Sequence, residues 1–385
     1  MFEKFNKRKS QFFNLLDRKD RIDFTKILSL SIIGSIFELF GLGIILPVLT
    51  ILIKGEAEFL NDVTIINKLN FDDTTQLLTF LFFLIFLVYL IKSIIIIYIK
   101  LQNAKFIFSI NNKLSTKVFK NYMEKNYLFH VNSNSATLTK NVQSETQLFS
   151  QGFLAASLNV ILELIISVAI LSFLMFLYTK ITLLIFIMFS VAVIIYLKFF
   201  RKKISDLGRE RVKNEGLRFK HIFEGFNGIK EILVFNKKNF FIDYFSDRNS
   251  KLNIVGTKQR FYASIPQTFL ELFTVFILCF FTIILINIGH PTDELLIILG
   301  IYAASIFKLL PAASRIISGI QEISYSMPSL DILNKIFTKE VSEFNKNVNQ
   351  DSKDEFDNFE KSIEIKDVLF KYEKNKENLI IRADH

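Results

Sequence analysis

The chain has no tryptophan, one cysteine and few residues that interrupt helices, with five prolines and thirteen glycines in 385 residues. Its cysteine, Cys279, lies in an apolar run, which excludes an internal disulfide framework and a cysteine metal site. His130, His221, His290 and His385 lack the i, i+4 spacing of a helical metal site, so no metal is predicted. The scarcity of proline and glycine favours long helices over short strands joined by turns.

Apolar residues dominate instead. They make up 51% of the sequence, phenylalanine occurs 44 times, and the mean hydropathy is +0.35. This composition is too apolar for a soluble domain of this length and predicts a membrane protein with membrane lipid as its surroundings. The net charge of +10 does not predict a nucleic-acid partner, because the basic residues flank apolar runs rather than forming a polar domain with interleaved aromatic residues.

Six apolar stretches are long enough to cross a bilayer as helices, which takes about 20 residues. They are residues 27–53, 77–99, 153–178, 181–200, 265–288 and 294–317. An even number of crossings predicts that both termini lie on one side of the membrane.

Lysine and arginine indicate which side that is. They are frequent in 1–26, 100–150 and 201–260, whereas 54–75 contains two and 287–293 contains none. Because segments on the cytoplasmic side carry the positive excess, both termini are predicted to be cytoplasmic.

The two long cytoplasmic connections are predicted to be helical. Residues 102–125 have apolar positions at four-residue steps and contain no proline. A helix running unbroken from residue 77 to about 125 would be ~75 Å long and would extend ~45 Å beyond the hydrocarbon core. Residues 201–260 repeat this pattern, with a turn predicted near Gly225 and Gly228.

The composition therefore divides the chain into four parts. A cytoplasmic segment, 1–26, precedes a six-helix membrane domain, 27–335. A polar linker, 336–360, leads to residues 361–385, where alternating apolar and polar residues predict the start of a β-rich soluble domain.

Several segments carry a resemblance to known proteins: FELFGLGIILP (37–47), YLFHVNSNSATLTKNVQSE (127–145), FNGIKEILVF (226–235), KLLPAASRI (308–316) and YSMPSLDIL (325–333). They resemble the half-transporters of ABC exporters, and among them the lipid-linked oligosaccharide flippases of bacterial N-glycosylation. IEIKDVLFKY (363–372) resembles the start of the family's ATPase domain. The resemblance implies an all-α domain of six transmembrane helices with long cytoplasmic extensions, followed by a short β stub of a nucleotide-binding domain. It also implies a homodimer in the bacterial inner membrane.

The resemblance places Tyr372 at the family's adenine-stacking position, although an ordinary exposed strand tyrosine is the alternative. The family uses ATP and Mg²⁺, but this sequence contains no GxxxxGK[ST] phosphate-binding spacing. The chain is therefore expected to stop before the ATP-hydrolysing residues, to have no catalytic residue of its own, and to need a nucleotide-binding domain from a longer parent or a separate subunit.

Ionisable residues in the apolar stretches are candidates for a substrate cavity, because charges inside a bilayer usually face a cavity or a partner. They are Glu38, Lys92, Glu163, Glu271, Lys308 and Arg315. The glutamates are expected to pair with lysine in the resting state. Interhelical packing is the alternative for each glutamate, and snorkelling to the headgroups is the alternative for Arg315 and Lys92.

The resemblance assigns coupling to the ATPase to the tips of the two cytoplasmic extensions. The residues concerned are Tyr127, Phe129 and His130 in the first tip and Gly228, Ile229, Lys230 and Glu231 in the second. Ordinary helix turns are the alternative.

The leading functional prediction is the transmembrane half of an ATP-driven exporter that moves an amphipathic or lipid-linked substrate by alternating access. A membrane receptor or scaffold subunit, or a non-functional truncated product, is the alternative. A secondary transporter is disfavoured, because no internal repeat with broken apolar stretches is evident.

Overall fold

The computed structural model describes residues 11–12, 15–43, 48, 51, 74–177, 179–288, 292–347, 368–370 and 381–383. These residues are almost entirely helical. The helices are α1 (Arg18–Gly43), α2 (Thr74–Met123), α3 (Tyr127–Asn132), α4 (Ser135–Lys140), α5 (Ala155–Leu177), α6 (Thr179–Asn227), α7 (Ile229–Val234), α8 (Lys238–Ile288) and α9 (Thr292–Asn347). Two π-helical segments, Asn141–Glu145 and Leu148–Leu154, lie between α4 and α5.

A short antiparallel strand pair follows the helices. β1 (Val368–Phe370) pairs with β2 (Ile381–Ala383), with Val368 opposite Ala383. The proposed adenine-stacking residue, Tyr372, lies outside the described residues.

Four of the helices are about 50 residues long. α2 has 50 residues, α6 has 49, α8 has 51 and α9 has 56, so each is roughly 75 Å long or more at 1.5 Å per residue. The prediction of an unbroken helix from residue 77 to about 125 is confirmed by α2.

Among the described residues, four helical stretches are long and apolar enough to cross a membrane. They are Arg18–Gly41, Leu78–Met123, Ser135–Leu177 and Lys238–Phe280.

The predicted turn in the second extension is also present. α6 ends at Asn227, Gly228 precedes α7, and α8 begins at Lys238. Between α7 and α8, Asn236 has a φ of 53°, in the left-handed region that asparagine tolerates better than most residues. The chain therefore reverses within about ten residues and returns along α6.

Proline does not end the last two helices. Pro266 lies inside α8, and Pro311 and Pro328 lie inside α9. The last helix continues to Asn347, so it enters the segment 336–360 that the sequence predicts to be a linker. The start of this segment is therefore helical; the position of the domain boundary stays a prediction.

The largest core among the described residues joins α1, α2, the second π-helical segment, α5 and α9. The α2 residues at the four-residue steps, Phe106, Ile110, Leu114 and Val118, are all buried in it, as the periodicity predicts. Most of the α2 residues in this core lie beyond the second apolar stretch, so the polar extension of α2 has a buried apolar face of its own.

Gly208 and Gly319 are two of the glycines that let α9 approach its neighbours very closely. A Cβ at Gly208 of α6 would lie 2.3 Å from the carbonyl oxygen of Tyr325 in α9. A Cβ at Gly319 of α9 would lie 2.4 Å from the side chain of Val160 in α5. Because real Cβ atoms do not come that close to other atoms, glycine is needed at both contacts.

Candidate functional site

One pair of the predicted cavity residues comes together. The guanidinium of Arg315, on α9, donates two hydrogen bonds to the carboxylate of Glu163, on α5. The bond from Nη2 to Oε2 is 3.1 Å long. The partner of Glu163 is thus an arginine, and the expectation of a lysine partner is wrong for this residue. A planar guanidinium can bind both oxygens of a carboxylate, which an ammonium does less well.

An apolar cavity of about 430 Å³ lies among the helices that carry this ion pair and their neighbours. Residues of α5, α6, α8 and α9 line it, among them Leu164, Phe186, Ile277 and Ile316, with Ser167 and Thr274 as polar members. Leu164 directly follows Glu163 and Ile316 directly follows Arg315. The cavity is large enough for part of an apolar chain, and its wall includes the residues that follow each member of the charged pair in sequence.

Of the other predicted cavity residues, the two whose side chains the structure describes, Lys92 and Glu271, do not join this pair. Lys92 is buried on α2, where its Nζ lies 4.9 Å from the centroid of the Tyr89 ring. Glu271 is exposed on α8. The side chains of Glu38 and Lys308 lie outside the described part of the structure. The predicted cavity side chains that the structure describes therefore do not form a single cluster.

The first tip is the short helix α3. The side chain of Asn126 caps it by accepting a 3.0 Å hydrogen bond from the backbone N–H of Phe129. Tyr127 is 73% exposed, whereas Phe129 turns inward and stacks on Tyr122 at 5.9 Å between ring centroids. Of the two aromatic residues predicted to contact a partner, Tyr127 is the accessible one. His130 is exposed beside Phe129.

The second tip is α7 with its flanking residues. Ile232 is buried against the neighbouring helices, while Ile229, Lys230 and Glu231 face outward. The same tip exposes further large apolar side chains, at Phe226, Leu233, Val234 and Phe235. An apolar surface of this kind, next to charged residues, is typical of a protein contact site.

A buried charge network, defined here as Lys140, Glu145, Arg211, Glu215 and Ser329, connects the two extensions to α9. Glu145 is fully buried and Arg211 is 4% exposed. The Glu145 carboxylate accepts hydrogen bonds from Arg211 Nη2 at 3.0 Å and from Ser329 Oγ at 2.5 Å, and Lys140 Nζ lies 3.1 Å away.

Arg211 takes part in most of the contacts within this network. Its Nη1 also binds Glu215 at 2.5 Å, and its guanidinium lies over the Tyr325 ring at 5.9 Å. Two cations and two carboxylates balance in charge. The network therefore joins α4, the first π-helical segment, α6 and α9 without leaving a net buried charge.

The electrostatics of this network favour its ionised form. Burial by itself raises the pKa of the Glu145 carboxyl, but Arg211, Lys140 and the Ser329 hydroxyl outweigh burial and hold that pKa below its usual range. Close by, burial raises the pKa of Tyr325 to about 12. Both residues lie outside the six apolar stretches of the sequence, so water and buffer pH act on this part of the protein.

The architecture thus combines long helices that are apolar over part of their length, polar extensions, and two short tip helices. The family model for the ABC transporter transmembrane region matches residues 24–310. The chain belongs to this family. An ABC transmembrane domain has a transport role and typically pairs with a nucleotide-binding domain, and its apolar helices make this a multi-pass membrane protein. No match is found among curated proteins.

The sequence did not reveal the charge network of this ABC domain. Arg211 is one of many basic residues in the second extension, and Glu145 and Ser329 are 184 positions apart. The i, i+4 spacing of Arg211 and Glu215 was the one available signal, and such pairs are common on exposed helices. What sets Arg211 apart is its burial, which requires the packing of three helices.

Proposed function

We propose that this chain is the transmembrane half of an ATP-driven exporter of the bacterial inner membrane. It crosses the membrane six times, has both termini in the cytoplasm and works as a homodimer. Its substrate is amphipathic, with a lipid-linked oligosaccharide as the leading candidate, and it moves by alternating access. The family membership supports transport; the six crossings rest on the six apolar stretches of the sequence.

The observation that carries the proposal is the continuity of the long helices. α2, α6 and α8 each combine an apolar half with a polar half and run directly to a short tip helix. A rod of this kind transmits a displacement at its tip to the membrane, because an α-helix is stiff along its axis and packed cores deform little. Such a rod suits an exporter driven by a domain that binds at the tips.

A nucleotide-binding domain, within the same protein or as a separate subunit, is the partner we propose for the tips. It would bind ATP and Mg²⁺, with Tyr372 as the candidate for stacking on adenine. At the first tip, Tyr127 and His130 offer an exposed contact, and at the second tip Ile229, Lys230 and Glu231 lie beside an apolar surface. Apolar residues in a pocket of the partner often dominate the affinity of such contacts.

The Glu163 and Arg315 pair, with the apolar cavity among the same helices and their neighbours, supports an amphipathic substrate. The cavity offers apolar walls for a chain, and Arg315 offers hydrogen-bond donors for a phosphate group. A phosphate would compete with Glu163 for the same guanidinium. The ion pair would then hold Arg315 in the resting state and release it to substrate.

A receptor or scaffold role is the second candidate. The exposed apolar surface at the second tip would also suit permanent binding of a partner that drives no transport cycle. The two roles differ in whether ATP hydrolysis moves a substrate.

Reconstitution in liposomes tests the proposal. The chain, together with its nucleotide-binding domain, is supplied with a fluorescent lipid-linked oligosaccharide, and the label's accessibility to a membrane-impermeant quencher is followed with and without ATP. We expect ATP-dependent movement, reduced about tenfold or more in Arg315→Gln, because charge-assisted hydrogen bonds to a phosphate are lost. Arg260→Gln is the control, since Arg260 is exposed on α8 and has no partner among the described residues.

Two outcomes of this experiment would contradict parts of the proposal. ATP hydrolysis without movement of this substrate, a phospholipid or a peptide would exclude the exporter role and favour the scaffold. Equal losses in Arg315→Gln and Arg260→Gln would remove Arg315 from the substrate path while leaving transport itself intact.

A further inference from the structure

A second cavity, of about 390 Å³, lies between α1 and α2. Asp20, Asp23 and Lys26 line it from α1, and Gln102, Lys105 and Ser109 line it from α2. None of these residues belongs to the proposed transport path or to the tips. The cavity is a concave site lined by charges of both signs.

The position of this cavity along the helices indicates what could reach it. Lys26 immediately precedes the first apolar stretch, 27–53, and the second apolar stretch, 77–99, ends beside Tyr98 and Lys100. Tyrosine and lysine are typical of the level at which lipid headgroups meet water. The remaining wall, which includes Ile27 and Leu30, points along the apolar part of α1. A phospholipid could therefore place its headgroup in the cavity and its chains along that wall.

The charges in the cavity favour a headgroup that carries both signs. Asp23 forms an ion pair with Lys26 at 3.2 Å, and Asp20 forms one with Lys113. In the part of the chain that the structure describes, Lys105 has no hydrogen-bond or ion-pair partner. One cation is thus available for a phosphate, and Asp23, which is half-buried, still has a second carboxylate oxygen to accept a hydrogen bond.

We propose that this cavity binds the headgroup of a phospholipid with a primary ammonium, such as phosphatidylethanolamine. Its phosphate lies against Lys105 and Gln102, and its ammonium donates to Asp23. A choline headgroup has no N–H to donate, and an anionic glycerol headgroup offers the second carboxylate oxygen of Asp23 only neutral hydroxyl donors, which form weaker hydrogen bonds than an ammonium. This lipid serves as a bound component at the base of α1 and α2 and not as transported substrate.

The proposal is tested with the chain itself, without ATP or a nucleotide-binding domain. The purified protein in detergent is titrated with dioleoyl phosphatidylethanolamine, phosphatidylcholine or phosphatidylglycerol, and each binding event is measured by native mass spectrometry. We expect phosphatidylethanolamine to bind about tenfold more tightly than phosphatidylcholine, as the gain of a charge-assisted hydrogen bond allows.

Two matched variants locate the site. Lys105→Ala should remove the preference for phosphatidylethanolamine, whereas Lys100→Ala should retain it, because Lys100 is exposed nearby on α2 but lies outside the cavity. Both side chains are exposed, so both variants should fold, and thermal unfolding checks this. Equal binding of the three lipids, tightest binding of phosphatidylglycerol, or equal effects of the two variants would overturn the proposal. None of these outcomes bears on transport, whose test is independent.

Discussion

Arg211 shows how much the packed structure can change the meaning of one side chain. Exposed arginines on helices contribute little to stability, but Arg211 is buried and contacts Glu145, Glu215 and Ser329. Removing one member of a buried ion pair leaves the opposite charge without compensation, which is far more costly than the loss of a surface pair. The effect of a substitution at this position should therefore be large.

We predict that Arg211→Met lowers the free energy of unfolding by about 3–5 kcal/mol, because Glu145 then stays buried with weaker compensation. Thermal or denaturant unfolding in detergent measures the change. Arg209→Gln is the matched control, since Arg209 is exposed two positions away on the same helix, and it should have little effect. Similar losses in both variants would mean that Arg211 is not the centre of the network.

The ionisation of Glu145 should make this part of the protein sensitive to acid. Its folded-state pKa is below the usual 4.5, so the ionised carboxylate stabilises the fold above that pH. The contribution is lost as the pH falls through the lower, folded-state pKa. We predict that the wild-type protein is more stable than Glu145→Gln at neutral pH and that this difference shrinks below about pH 4. Unfolding curves of both proteins across this pH range measure the difference in stability. A difference that does not change with pH would contradict the prediction that ionised Glu145 stabilises the fold.

At the scale of elements, the close contact between α6 and α9 depends on Gly208. Its missing side chain allows the helix to lie against the Tyr325 carbonyl, and the charge network lies one turn away at Arg211. The Gly208 contact and the charge network therefore both hold α6 against α9. The first acts through the close approach of the two backbones, and the second acts through charge.

We predict that Gly208→Ala destabilises the protein by about 1–3 kcal/mol, because the added methyl group forces α6 away from α9. Gly256→Ala, in the interior of α8, is the control, because among the described residues nothing beyond its chain neighbours and the backbone of its own helix lies within 4 Å of the position of its Cβ. It should be neutral or stabilising by about 0.5–1 kcal/mol, as expected for alanine in a helix. Circular dichroism melting of the two variants compares them. A stabilising Gly208→Ala would show that the helices can move apart without cost.

The two consecutive π-helical segments illustrate a limit of sequence periodicity. The first cytoplasmic connection, 100–150, was predicted to be helical, and its helices confirm this in outline, but the wider turns at Asn141–Glu145 and Leu148–Leu154 were not predicted. A π-turn shifts all following side chains around the helix axis, and such turns are frequent at functional sites. Glu145 and Phe149 lie in these two segments and are fully buried, and their contacts with other helices are not encoded by local sequence.

At the scale of the whole molecule, the number of membrane crossings is the property to test. Four apolar helical stretches are found among the described residues, and six are proposed from the sequence. Six crossings place both termini on the same side of the membrane, with residues 54–75 on the other side.

Cysteine labelling tests on which side of the membrane the two termini and residues 54–75 lie. In a Cys279→Ser background, single cysteines are introduced as Ser10→Cys, Asn61→Cys and Ser352→Cys, and intact cells are treated with a membrane-impermeant maleimide. We expect Asn61→Cys to be labelled in intact cells and the other two only after the membrane is opened, because the positive excess keeps both termini in the cytoplasm. Opposite accessibility of Ser10→Cys and Ser352→Cys would require an odd number of crossings.

The sequence by itself determined the class of protein, the long helices and the reversal of the chain near Gly228. It also determined the burial of the α2 residues at four-residue steps from Phe106 to Val118. These features follow from local composition and from a period of 3.6 residues, which one segment carries alone. Only the tertiary structure decided that Arg315 binds Glu163 and that Arg211 and Glu145 form a buried network. Those pairings join residues that are 152 and 66 positions apart, and their geometry exists only after separate helices have packed against one another.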